Sequence, residues 1–141
     1  MWDHEGVLRD LRALADNACA GETLASCASL LDLPPVREVV AEVGHPLLRA
    51  YVLRNFLRSA VSRADADDIT VKAAGALIGV ALSYAPRKEF RQDAAGVILD
   101  RTRRTVRRPD KQKELLEGLA AAIADFARDS DATSHLSLIH I

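Results

Sequence analysis

Apolar residues recur at three- and four-residue spacings along almost the whole chain, while the alternation of a half-buried strand is nearly absent. That period places one apolar stripe on each of a series of helices and leaves no segment to build a sheet. The expected class is all-α. Proline and glycine set the divisions, because proline suits a first helical turn and glycine a helix end.

The first helix is expected over residues 3–17. Asp3 is its N-cap, Trp2 a staple against Val7, and Val7, Leu8, Leu11, Leu14, Ala15 and Ala18 its inward stripe. Gly21 breaks the chain. A second helix then carries Leu24, Cys27, Ala28 and Leu31 on one face. Pro34 and Pro35 open a third, which Gly44 closes, with Val36, Val39, Val40 and Val43 as its stripe. Four valines also suit a strand, but not at this spacing. Pro46 opens a fourth helix reaching about Ala64, with Leu48, Val52, Leu53, Phe56, Leu57, Ala60 and Val61 apolar.

Asp65, Asp67 and Asp68 precede a fifth helix over residues 69–85. Its only charge is Lys72, so it is expected to be buried nearly all round. Pro86 opens a sixth helix extending to about Arg107, with Phe90, Ala94, Val97 and Ile98 toward the core. Pro109 opens a seventh, with Leu115, Leu116, Leu119, Ile123, Phe126 and Ala127 inward. Six or seven helices with short connections predict a compact bundle or stacked helical hairpins. No repeat of fixed period points to a solenoid.

A chain of 141 residues is the length of one domain, expected here over residues 1–130. Its composition then turns polar, and 131–141 is expected to be a disordered tail. The last six residues, Leu136-Ser137-Leu138-Ile139-His140-Ile141, resemble a translated transposon-end sequencing adapter. The resemblance implies that the natural sequence is cut near His135 and that 136–141 is an artefact to be set aside in fold reasoning.

The two cysteines, Cys19 and Cys27, lack a metal-ligand spacing and read as reduced thiols of a cytoplasmic protein. Asp3, Glu5, Arg9 and Asp10 interrupt any leader-like apolar run. Gly75, Gly79 and Ser83 form a small-residue stripe, but the apolar stretch around them contains Lys72 and is short for a span. Close packing of a central helix is expected there, not membrane insertion.

Catalytic and metal motifs find no support. Asp65-Ala66-Asp67-Asp68 lacks the alternating ligands and the glycine of a calcium loop, and capping explains it. His4 and His45 stand alone at helix starts. There is no paired-histidine helix, phosphate-binding glycine loop or nucleophile elbow, and no cofactor is implied. Residues 23–44 superficially resemble a helix-turn-helix, with Ala28 as the small residue and Leu33 as the buried one. The second helix then breaks the pattern: Glu38 and Ala41 stand where apolar residues belong, and Arg37 is its only base.

One charge anomaly remains. The net charge is −1, yet residues 87–113 hold ten basic groups against four acids. Continuing the helical period, Arg101 and Arg108 fall at the edge of the stripe led by Phe90. The sixth helix is therefore expected to outrun the core and project a cationic end. Arg101, Arg103, Arg104, Arg107, Arg108 and Lys111 are the candidate contacts for an acidic protein partner or a phosphate backbone. The plainer alternative is a solvated helix end favoured by the macrodipole. The leading expectation is a non-enzymatic helical regulatory or interaction module with an unknown protein partner. The second is a nucleic-acid-binding domain using residues 101–113. The oligomeric state is left open.

Overall fold

The computed structural model describes residues 2–43, 45–80 and 87–129. Among them nine helices form and no strand: α1 (His4–Asn17), α2 (Gly21–Ala25), α3 (Ala28–Leu31), α4 (Pro34–Val43), α5 (Pro46–Arg63), α6 (Ile69–Ile78), α7 (Lys88–Leu99), α8 (Arg103–Val106) and α9 (Pro109–Asp129). The all-α class is as expected, and the helix count is higher because two expected helices are each broken in two. Residues 130–141, with the expected tail and adapter, lie outside the described residues.

Local chemistry sets most helix starts where the sequence puts them. Asp3 accepts from the Gly6 amide at 3.1 Å and Asp68 from the Val71 amide at 3.2 Å. His45 accepts from the Leu47 amide before Pro46. Trp2 is partly exposed and directs its indole N–H to His4.

The first unexpected break lies within residues 24–31. The Ser26 hydroxyl donates back to the Glu22 and Thr23 carbonyls and competes with the helical ladder there. Asp10 then restarts the chain. Its buried Oδ2 accepts the Ser29 and Leu30 amides at 2.9 and 3.0 Å, capping α3 from the side of α1. Leu24 and Cys27 are buried as expected, Leu31 is half-buried, and Ala28 is exposed. Leu30 and Leu33 complete this part of the core.

One contiguous core joins α1, α5, α6 and α9. Leu11, Leu14, Leu53, Phe56, Leu57, Leu77, Leu115, Leu119 and Ile123 are fully enclosed. The Phe56 and Phe126 rings meet at 5.1 Å between centroids. The α6 helix packs between α7 and α9 and is apolar nearly all round, as its composition dictates. Lys72 resolves its one charge by donating to the Val61 carbonyl at 2.7 Å.

Two expectations at the helix ends fail. The fifth helix stops at Ile78, because Gly79 takes the left-handed conformation (φ 73°) as its C-cap. Gly79 is therefore a terminator, yet the expected close packing holds at both described glycines: a Cβ on Gly75 would meet Val61 at 2.9 Å and one on Gly79 would meet Arg91 at 3.0 Å. Ser83 lies outside the described residues. At the start of α5, Leu48 is exposed together with Leu47 and Tyr51, because burial of this helix begins at Ala50 and Val52. No helix among the described residues is long and apolar enough to cross a membrane.

Candidate functional site

The basic segment does not project. α7 ends at Leu99, Asp100 adopts the left-handed conformation (φ 55°), and the Arg101 amide bonds back to the Gly96 carbonyl at 2.8 Å. This six-to-one closure is a Schellman turn with aspartate in the place usually held by glycine. Glycine at 96 lets the turn close, since a Cβ there would meet the Arg101 carbonyl oxygen at 2.7 Å. The chain restarts as α8, whose Val106 is fully buried. The expectation of one helix running to Arg107 fails because period alone does not register a residue entering the left-handed region.

Folding back redistributes the six candidate cations. Arg103 pairs with Asp93 of α7 at 3.2 Å, Arg108 with Asp110 at 2.6 Å, and Lys111 with Glu114 at 2.6 Å. The Arg108 guanidinium holds the Asp110 carboxyl below the ordinary carboxylate range. Arg101, Arg104 and Arg107 are exposed and form no ion pair among the described residues. Among the described residues Arg101 donates to its neighbour, the Asp100 carbonyl. The six therefore divide into three engaged and three free cations, not one continuous track.

The larger correction concerns α7. Phe90, Ala94, Val97 and Ile98, expected in the core, all face outward, with Phe90 64% and Val97 81% exposed. The buried face instead carries Arg91, Gln92, Ala95 and Gly96. Arg91 accounts for the inversion. Its guanidinium, 2% exposed, donates to the Ala15 and Leu77 carbonyls at 3.3 and 3.4 Å and to the Asp16 carbonyl at 3.4 Å. These carbonyls belong to the last turns of α1 and α6, where helices leave acceptors unused and concentrate negative dipole. One cation thus closes two helix ends, and its burial turns the apolar stripe outward. The lost water is felt at Arg91 itself, where burial lowers the pKa from its ordinary value. Lys88 adds a second tie to α1, reaching Asp16 at 2.8 Å.

Beside the stripe, Gly96, Val97, Asp100, Arg101, Thr102 and Thr105 border a shallow cleft of about 500 Å³. The outward face of α7 therefore ends against a free guanidinium. A separate cleft of about 400 Å³ lies between α1 and the start of α9. It is lined by Leu8, Arg12, Arg107, Pro109, Gln112, Lys113 and Leu116. Only Arg107 of these was singled out from the sequence as a contact residue. Arg12 gave no signal, since a lone arginine on the polar side of a helix is indistinguishable from a solvated one.

Reactive chemistry is sparse. Cys19 and Cys27 are free and buried, and burial pushes each thiol up to about 12, away from thiolate reactivity. No group of three or more histidine, cysteine or acidic side chains suited to a metal occurs among the described residues. The chain matches no protein-family model, no curated protein and no solved structure.

Proposed function

We propose that this chain is a non-enzymatic, α-helical interaction module. Its outward α7 face receives a short amphipathic helix from a protein partner, with acidic residues at one end of that helix. The observation carrying the reading is the exposed row of Phe90, Ala94, Val97 and Ile98. An aromatic and two branched aliphatic side chains at helical spacing form the kind of surface that takes an amphipathic helix. Arg101, beside Val97 and in no ion pair among the described residues, supplies charge complementarity for an acidic end.

The patch is too small for a second copy of the chain. Four side chains over about two turns expose roughly a few hundred Å², whereas a stable dimer buries about 800 Å² on each side. Nucleic-acid binding through residues 101–113 has less support, because Arg103, Arg108 and Lys111 already hold acids.

Selection of displayed random peptides on the wild-type protein, counter-selected on Phe90→Asp/Val97→Asp, tests the proposal. Enriched peptides should carry apolar residues three and four apart with acids at one end. They should lose binding to the double variant and bind more weakly to Arg101→Gln. Failure to enrich, or binders indifferent to both variants, overturns it.

A further inference from the structure

We infer that the cleft between α1 and α9 is a binding site for a small organic phosphate, a compound with a phosphate head on a short apolar body. It shares no residue with the α7 stripe or with Arg101, and it does not depend on the function proposed above. Its walls come from three parts of the chain. Leu8 and Arg12 lie one turn apart on α1, Arg107 closes α8, and Gln112, Lys113 and Leu116 occupy the opening turns of α9. Leu8 and Leu116, at 8% and 3% exposed, form the apolar base.

Charge is the feature that selects the ligand. Arg12, Arg107 and Lys113 all border the cleft, and none of them forms an ion pair among the described residues. The nearby acids of α9 are each taken by a cation or imidazole elsewhere: Asp110 by Arg108, Glu114 by Lys111 and Glu117 by His4. The cleft therefore keeps three positive groups that no ion pair among the described residues engages. The amino-terminal end of the 21-residue α9 adds positive dipole on the same side.

A phosphate fits this set better than a carboxylate. It carries close to two charges and enough acceptor oxygens for two guanidinium forks and an ammonium at once. The volume of about 400 Å³ exceeds a bare phosphate and falls within the range of small-molecule sites. Gln112 offers a neutral amide for a polar group on the ligand body.

Phenyl phosphate, inorganic phosphate and benzoate separate the contributions of head and body. Titration of the full chain should be followed by amide and methyl NMR at low ionic strength. Phenyl phosphate should shift Leu8, Gln112 and Leu116 saturably and bind more tightly than either of the other two. Arg107→Gln and Lys113→Gln should each weaken it about tenfold or more, as expected for a lost charge-assisted hydrogen bond. Arg104→Gln, whose arginine does not line the cleft, should leave binding unchanged. An absence of saturable shifts at Leu8 and Leu116 overturns the site, as does equal weakening by Arg104→Gln, which marks diffuse attraction. Equal affinity for inorganic and phenyl phosphate overturns the apolar part.

Discussion

The Arg91 guanidinium donates to the Ala15 carbonyl at 3.3 Å, joining residues 76 positions apart. With its bonds to Leu77 and Asp16, it fastens α7 across the ends of α1 and α6. Burying a guanidinium is costly, but its removal leaves three helix-end carbonyls without this donor, two of them buried away from water. The second effect should win, because an apolar side chain cannot replace the donor. Arg91→Met is expected to lose about 2–4 kcal/mol in urea denaturation. Arg91→Lys should lose less, since an ammonium reaches some of the carbonyls but cannot fork across both helices.

The turn after α7 makes a prediction of opposite signs. Asp100 stands in the left-handed region, where a side chain is strained and glycine is not. Asp100→Gly is expected to raise stability by about 0.5–1 kcal/mol. Gly96→Ala should lower it by about 1–3 kcal/mol, since its Cβ would meet a backbone oxygen that cannot swing away. Thermal or urea melts of the two variants check both signs.

Asp10 gives a pH dependence. Burial raises its pKa above 3.8, against the pull of its bonds to the Leu30 and Ser29 amides and of the Arg9 charge. The folded state then binds the proton more readily than the unfolded chain. The cost of carrying this charge is absent below the unfolded value and grows as pH rises through the folded value. Compared with Asp10→Asn, which does not titrate, the wild type should lose relative stability as pH rises just above 3.8. Paired urea titrations across that window measure it, and a difference growing in the other direction would contradict the burial of the charge.

Much of this fold is legible in the sequence, and the exceptions share one cause. The stripe from Val7 to Ala18 and that from Leu115 to Phe126 are buried as their spacing implies. Asp3 and Asp68 cap where they should, and Pro34, Pro46 and Pro109 open helices. Here the apolar stripe and the inward face coincide. On α7 they do not, because two remote helix ends supply acceptors that outweigh the burial of Phe90 and Val97. Nothing within residues 88–99 announces that the Ala15 and Leu77 carbonyls await a donor. The breaks at Ser26 and Asp100 are also set by single residues bonding backwards or entering the left-handed region, which a period does not encode. Of the candidate site, the concentration of cations was visible. Its division among Asp93, Asp110, Glu114 and two clefts depends on where the chain folds back.

The orientation of α7 is the point on which the interaction surface stands, and urea denaturation of Val97→Asp tests it most directly. With Val97 81% exposed, the variant should keep its midpoint and slope, with a change within about 0.5 kcal/mol. A loss of about 2 kcal/mol or more would mean that a carboxylate had been forced into the core, and that α7 packs by its apolar stripe after all.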